Sequence, residues 1–230
     1  MSITLYELAG RDDFRFSPFA WRSKMALHHK GLDFESRSVK FSDRGPIEQS
    51  GQERMPVLVD GDTWVPDSWA IAEYLDATWP DQAPLFDNDA ARAHARFINS
   101  WADVTLNGGI FGLIVHDILD HVDPDDVDFF RTTREARIGK PLADTLVGRE
   151  ERVEKFRASL QPLRLTLKAQ KYLGGTSVSY ADYIVFGSLQ WARCSSPFQV
   201  LAEDDVIATW FRGMLDLFDG LGGKAPGYKV

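Results

Sequence analysis

Cysteine is nearly absent from this sequence of 230 residues, in which Cys194 is the single example. One cysteine excludes an intrachain disulfide. The lack of any Cys-X-X-Cys pair also excludes a thiolate zinc site and a dithiol redox centre. Such sparing use of cysteine fits a reducing compartment, so we expect a cytoplasmic protein.

Long apolar runs and a surplus of basic residues are missing as well. No stretch of about 18 apolar residues is present, so we expect no membrane-spanning helix. The start of the sequence, MSITLYELAGRDD, has no basic segment followed by an apolar one, so we expect no signal peptide. Asp and Glu number 34 against 26 Lys and Arg, giving a formal net charge of −8. This acidic balance argues against nucleic-acid and anionic-membrane partners, which both require a basic face.

The first 80 residues alternate between strand and helix patterns. Ser17-Pro18 favours a helix start, because Ser is a preferred N-cap and Pro fits the first helical turn. Asp60-Gly61 is typical of a hairpin turn. The predicted elements are strands at 3–8, 33–41, 55–59 and 63–65 and helices at 18–30 and 69–79. This order predicts an α/β domain over 1–80 with two packed layers.

From residue 89 onward the sequence indicates helices only. Residues 81–88 contain proline and end in polar residues, so we expect them to be a linker. In the helical part we expect kinks at Gly108-Gly109 and at Pro162. Residues 89–230 are therefore predicted to form an all-α domain, a bundle of about six helices that packs against the α/β domain.

Ser17 is the first candidate for chemistry. A serine at a helix start is most often a structural cap. The same position permits a second role, because a helix N-terminus carries partial positive charge and free N–H groups. A hydroxyl held there can donate a hydrogen bond to a thiolate and lower the pKa of the thiol. Since the sequence has no cysteine nearby, such a thiol would arrive with a ligand.

Two further residue pairs are open to a structural and a functional interpretation. The Met55-Pro56 bond is either an ordinary trans bond or a cis bond that turns the Met55 backbone outward to pair with an extended peptide. Asp67-Ser68 either caps the next helix or holds a ligand, with Ser68 on a carboxylate and Asp67 on an ammonium group. The three features in this order are more specific than any one alone.

These features resemble one family, the cytosolic glutathione transferases. Residues 1–80 resemble its thioredoxin-like domain, and residues 89–230 resemble its all-helical C-terminal domain. The resemblance is carried by SPFAW (17–21), ERMPVLVDG (53–61), WVPDSWAIAEYLD (64–76) and SVSYADY (177–183). Three longer segments are most similar to bacterial β-etherases and etherase-like fungal transferases of the serine type. They are SPFAWRSKMALHHKG (17–31), PDSWAIAEYLDATWPD (66–81) and LDLFDGLGG (215–223).

The resemblance implies that glutathione is the co-substrate and gives each motif a role. Ser17 would face the glutathione sulfur. Met55, preceding a cis Pro56, would pair with the cysteinyl backbone, and Asp67 and Ser68 would hold the γ-glutamyl end. Arg54 would bind the glycine carboxylate, with Gln52 and Lys40 as alternatives. Ser179 and Asp182 match the family's capping box. The residues expected at the acceptor site are Phe16, Phe19, Trp21 and Trp101.

The implied function is that of a glutathione transferase of detoxification or aromatic breakdown. Its thiolate attacks an electrophilic carbon of a hydrophobic, aromatic acceptor in a cleft between the domains. Aryl ether cleavage is one form of that reaction. Ser17 stands where cysteine-type members have Cys and cannot form a mixed disulfide, which favours thiolate stabilisation. The resemblance also implies a homodimer. The alternatives are a non-catalytic carrier of apolar ligands and a glutathione-dependent isomerase or dehalogenase.

The remaining polar clusters are expected to be structural. His28-His29 has no partner at ligand spacing, and the acidic run over 117–128 lacks the glycine and the terminal glutamate of a calcium loop, so we expect no metal. A basic row is either a solvated helix face or a contact for an anionic acceptor. The row consists of Arg131, Arg134, Arg137 and Lys140.

Overall fold

Four strands form one mixed sheet at the start of the chain. The computed structural model describes residues 3–230. Its strands are β1 (Ile3–Leu8), β2 (Phe34–Val39), β3 (Val57–Asp60) and β4 (Thr63–Pro66). Their order across the sheet is β2-β1-β3-β4, with β2 parallel to β1 and the other neighbours antiparallel. The sequence predicted all four strands within two residues of their ends.

Two helices complete this α/β domain. Helix α1 (Pro18–His29) is the crossover between the parallel strands β1 and β2, and α2 (Ser68–Thr78) follows β4 directly. Ser17 caps α1, and Pro18 occupies its first turn, as the sequence predicted. Gly61 has a φ of +59° in the loop between β3 and β4, a conformation that glycine adopts without a steric penalty.

Everything after residue 88 is helical or loop, as predicted, but with eight α-helices instead of six. The helices are α3 (Asp89–Trp101), α4 (Asn107–Ile114), α5 (Val127–Ile138), α6 (Arg149–Ser159), α7 (Gln161–Ala169), α8 (Tyr180–Ser195), α9 (Val206–Leu215) and α10 (Leu217–Lys224). No helix within residues 3–230 is long and apolar enough to cross a membrane.

Both predicted kinks are wrong in detail. The irregularity near Gly108-Gly109 is a π-helical turn, Ala102–Leu106, that lies before the glycines and joins α3 to α4. Gly109 instead allows close packing, because a Cβ there would lie 2.4 Å from the Phe156 ring. Pro162 does not kink a helix. It lies in the first turn of α7, where its missing N–H has no intrahelical partner to lose.

Helix α8 is the centre of the molecule. Of its 16 residues only Arg193 is not buried, and one continuous apolar core extends from the sheet through α8 into the other helices. Helix α1 packs closely on α8 because Gly187 has no side chain. A Cβ there would lie 2.4 Å from the Pro18 carbonyl oxygen. The helical domain therefore supports the start of α1, where Ser17 lies.

Candidate active site

A cleft of about 820 Å³ lies between the two domains. One wall comes from the α/β domain and includes Ser17 and Met55. The other wall comes from the π-helical turn, α4, α5 and the segments beside them. This second wall includes Asp103, Asn107, Phe111, Phe129, Arg134 and Arg137.

Ser17 lies on the cleft wall at the N-terminus of α1. Its side chain is buried, and its Oγ accepts a long hydrogen bond of 3.4 Å from the Ala20 N–H. The hydroxyl thus acts as the predicted cap. Accepting that bond uses a lone pair of the oxygen, so the O–H proton remains available to a group in the cleft. The geometry accommodates both interpretations of this serine.

The Met55-Pro56 bond, which precedes β3, is cis, the isomer that the resemblance implied. Met55 is half-buried and lines the cleft, whereas Pro56 is buried. The Pro56 carbonyl accepts a hydrogen bond of 3.1 Å from the Asp67 N–H. Within residues 3–230 the backbone of Met55 makes no hydrogen bond, so its N–H and C=O can pair with a ligand.

Asp67 and Ser68 lie beside Pro56, outside the residues that line the cleft. Asp67 caps α2, because its Oδ1 accepts hydrogen bonds from the N–H groups of Trp69 at 2.8 Å and Ala70 at 3.3 Å. The Ser68 carbonyl accepts a bond of 2.6 Å from the Tyr180 hydroxyl. The capping interpretation therefore holds. It does not use Asp67 Oδ2, which has no hydrogen bond within the described chain.

Arg54, Gln52 and Lys40 are the residues expected to bind the glycine carboxylate of glutathione, and they differ in position. Arg54 is exposed and lines the cleft, whereas Gln52 does not line it. Lys40 is held 3.0 Å from Asp125, and this hydrogen bond is the main cause of a raised Lys40 pKa. Sequence reasoning missed Arg44, which also lines the cleft and donates a bond of 2.7 Å to the Lys40 carbonyl. No local motif marks Arg44 in the sequence.

The four aromatic residues expected at the acceptor site are divided by the structure. Phe16 and Phe19 line the cleft. Trp21 does not, because it is buried with its ring edge-on to Phe186 at 6.1 Å between centroids. Trp101 is also outside the cleft wall and packs partly buried against the core.

Asp103 lines the cleft, although no motif in the sequence marks it as a site residue. It lies in the π-helical turn, and its carboxylate is 2.8 Å from Nη2 of Arg22. Arg22 is 1% exposed and also donates a bond of 3.0 Å to Asn99. This ion pair joins α1 to the helical domain, five residues after Ser17. The positive charge of Arg22 neutralises that of the Asp103 carboxylate.

Other titratable groups give no second centre. No group of three or more His, Cys, Asp or Glu side chains that could hold a metal ion is found between residues 3 and 230. Burial raises the pKa of the Cys194 thiol to about 12, so this thiol stays protonated near neutral pH. Of the basic row, Arg134 and Arg137 line the cleft, and Arg131 and Lys140 do not.

Comparisons with known proteins agree on one family. A model described as "Glutathione S-transferase, N-terminal domain" matches residues 16–78, and "Glutathione S-transferase, C-terminal domain" matches residues 93–216. Glutathione S-transferase U28 of Arabidopsis thaliana is 27% identical over 86% of this chain and 80% of its own length. The probable glutathione S-transferase parA of Nicotiana tabacum is 25% identical over 89% and 83%.

Solved structures show the same architecture. Glutathione transferase GSTFuA3 of Phanerochaete chrysosporium superposes with a TM-score of 0.78 at 25% identity, covering 97% of this chain and 94% of its own. The Ceriporiopsis subvermispora transferase CsGST63524, solved in complex with glutathione, gives a TM-score of 0.76 at 25% identity, covering 98% and 95%. The predicted fold class is thereby confirmed: a thioredoxin-like α/β domain followed by an all-helical domain.

Proposed function

Because the chain belongs to the glutathione S-transferase family, whose co-substrate is glutathione, we propose that it binds glutathione along the α/β wall of the cleft and transfers it to a hydrophobic, aromatic electrophile. The observation that carries this proposal is the position of Ser17. Its hydroxyl lies at the N-terminus of α1 and on the wall of a cleft large enough for both substrates.

We assign the glutathione contacts to groups of the α/β domain that line the cleft or lie beside Pro56. The unpaired backbone of Met55 would bind the cysteinyl residue as an added strand does. Asp67 Oδ2 would bind the γ-glutamyl ammonium group, and the Ser68 hydroxyl with the N-terminus of α2 would bind its carboxylate. Arg54 would bind the glycine carboxylate. The bond from the Asp67 N–H to the Pro56 carbonyl keeps these elements adjacent.

The chemistry then follows from the environment of the bound thiol. The Ser17 O–H donates to the sulfur, and the partial positive charge of the α1 N-terminus favours the thiolate. Both effects lower the pKa of the bound thiol, whose proton passes to solvent. The thiolate forms a bond to the electrophilic carbon, and the leaving group departs with its bonding electron pair. Ser17 forms no covalent bond in this sequence.

For the finer type of reaction we propose aryl ether cleavage, in which the leaving group is a phenolate. Its support is the similarity of the segments 17–31, 66–81 and 215–223 to β-etherase sequences. We also propose a homodimer in the cytoplasm. Phe97 and Val104 support the dimer, since they are 69% and 78% exposed on α3 and the adjoining π-helical turn.

The test is steady-state conjugation of 1-chloro-2,4-dinitrobenzene with glutathione. We expect Ser17→Ala to lower kcat by about tenfold or more, because one charge-assisted hydrogen bond contributes about 1.5–3 kcal/mol. Affinity for glutathione should change less, since the hydroxyl acts on the thiolate. Ser177→Ala, at an exposed serine outside the cleft, is the matched control.

Two outcomes would contradict the proposal. An unchanged kcat in folded Ser17→Ala would move thiolate stabilisation to another group, such as a backbone N–H. Tight glutathione binding by the wild-type protein, without turnover of any electrophile in a panel of aryl halides and aryl ethers, would identify a carrier instead of an enzyme.

A further inference from the structure

The cleft carries a charge opposite to that of the chain. The whole sequence has a formal net charge of −8, yet four arginines line the cleft. They are Arg44, Arg54, Arg134 and Arg137. None of the four has a carboxylate within 4.0 Å in the part of the chain that the structure describes, residues 3–230. Two carboxylates, Glu53 and Asp103, also line the cleft, so cations outnumber anions in its lining by four to two.

Arg134 is the most unusual of these cations. Its guanidinium lies over the rings of Phe130 at 4.7 Å and Phe41 at 5.2 Å, and its hydrogen bond goes to the neutral Thr133 hydroxyl at 2.8 Å. Burial is the main cause that lowers the Arg134 pKa, and repulsion from Arg137 adds to it. An arginine nevertheless stays protonated. Among residues 3–230, Arg134 is thus a partly buried cation without a counter-ion.

Arg137 lies one turn further along α5, on the same side of the helix. Its guanidinium is 4.7 Å from the centre of the Phe111 ring, which also lines the cleft. Like charges three residues apart on a helix repel each other. An anion bound between Arg134 and Arg137 would offset this repulsion.

Glutathione does not account for these two arginines. In the proposed binding mode its carboxylates lie on the α/β wall, at Arg54 and at the start of α2. Arg44 belongs to the α/β domain as well. Burial lowers the Arg44 pKa, and the negative charges of Asp126 and Glu53 oppose that shift. By contrast, the charges that act on Arg134 are those of Arg137 and Arg44, both cations. The α5 arginines on the helical wall are left for another anion.

We propose that the acceptor substrate is an aromatic carboxylate, with its carboxylate bound by Arg134 and Arg137. Its ring would lie against Phe111 and Phe129, the latter 41% exposed on the cleft wall. Planar guanidinium groups bind carboxylates well, and aromatic side chains bind a planar ring. This inference rests on the proposed transferase function and names the substrate class of the same cleft.

The experiment compares two electrophiles that differ in one charge, 4-chloro-3-nitrobenzoate and 4-chloro-3-nitrobenzamide. In both, the glutathione thiolate bonds to the ring carbon that carries chlorine, and chloride leaves with the bonding electron pair. Each variant is judged by the ratio of kcat/KM for the benzoate to kcat/KM for the benzamide. General losses of activity cancel in this ratio, and the difference in intrinsic reactivity cancels when the ratio of a variant is divided by that of the wild type.

We expect Arg137→Gln and Arg134→Gln each to lower that ratio by about tenfold or more, the loss expected when a charged partner is removed. Arg134→Lys should keep part of the ratio, because it keeps the charge, and it replaces Arg134→Gln if that variant does not fold. Arg131→Gln removes the same charge from the same helix outside the cleft and should leave the ratio within twofold of wild type.

A ratio unchanged in Arg137→Gln overturns the proposal, whether kcat/KM stays at the wild-type value for both electrophiles or falls equally for both. If the wild-type protein conjugates neither compound, calorimetric binding decides. At least tenfold tighter binding of the benzoate than of the benzamide, lost in Arg137→Gln, supports the anion site even though the proposed reaction has failed. Equal binding of the two compounds overturns it.

Discussion

Asp67 has a structural role as the cap of α2 and, in the proposed binding mode, a second role as a ligand of glutathione. Its φ of +74° lies in the left-handed region, where a non-glycine residue costs about 1–3 kcal/mol. The bonds to the α2 N–H groups and to the Pro56 carbonyl maintain this conformation. A strained residue held in place by its neighbours is a frequent feature of ligand sites, and here the unused Oδ2 is what remains for a ligand.

The substitution Asp67→Asn separates these two demands. Asn is as good an N-cap as Asp and tolerates positive φ, so the thermal midpoint should change little. The lost charge should weaken glutathione binding by about tenfold, the loss expected for one charge-assisted hydrogen bond. Calorimetry measures the affinity, and Asp67→Ala, which loses the cap as well, is the comparison. Wild-type affinity in Asp67→Asn would mean that the carboxylate only caps α2.

Single elements show where the sequence is informative and where it is not. The capping box of α8 is confirmed, because Asp182 Oδ2 accepts hydrogen bonds from the Ser179 N–H at 3.0 Å and from the Ser179 hydroxyl at 3.1 Å. This motif is local, so it could be predicted. The π-helical turn Ala102–Leu106 could not, since it interrupts a regular helical pattern without a proline. Asp103 was therefore missed, together with its bond to Arg22.

Asp182 lets us predict how much the start of α8 contributes to stability. Its carboxylate is fully buried and accepts bonds from the N–H groups of Leu173 at 2.7 Å, Gly174 at 3.1 Å and Ser179 at 3.0 Å. Asp182→Ala leaves these donors unpaired and should lower the free energy of unfolding by on the order of 3 kcal/mol. Urea denaturation measures this value.

The matched control is Asp204→Ala, which removes an exposed aspartate from a turn. We expect it to change the free energy of unfolding by less than about 0.5 kcal/mol. If Asp182→Ala lowers the free energy of unfolding by no more than this control, the N–H groups of the loop before α8 form other hydrogen bonds in the variant. The capping box would then not be a determinant of stability.

At the scale of the molecule, the cleft explains which half of the site was predictable. The proposed glutathione side depends on short motifs, such as Ser17-Pro18 and Asp67-Ser68, whose spacing is visible in the sequence. The acceptor side depends on contacts across long separations, such as that between Phe41 and Arg134. The sequence identified the basic row on α5 but could not tell which of its members face the cleft, because that is decided by how the domains pack.

The contact between the domains also predicts how stability depends on pH. His29, at the end of α1, lies with Nδ1 2.7 Å from the Tyr183 hydroxyl of α8 and Nε2 3.1 Å from the Pro84 carbonyl. A carbonyl can only accept, so Nε2–H donates to Pro84, and the neutral ring accepts from Tyr183 at Nδ1. Burial is the main cause that lowers the His29 pKa, so the folded protein favours the neutral ring more strongly than the unfolded chain does.

In the unfolded chain, histidine has a pKa of about 6.5. Because the His29 pKa is lower in the folded protein, the unfolded chain binds more protons at this residue as the pH falls through that value, so the free energy of unfolding should fall as the pH drops from 7 towards 5. His29→Gln removes this group and should reduce that slope, by up to about 1.4 kcal/mol per pH unit. His94→Gln, at an exposed position on α3, is the control. Urea titrations at pH 7 and pH 5 give the change in the free energy of unfolding with pH for each protein. If this change is equal in His29→Gln and wild type, protonation of His29 does not destabilise the contact between the domains.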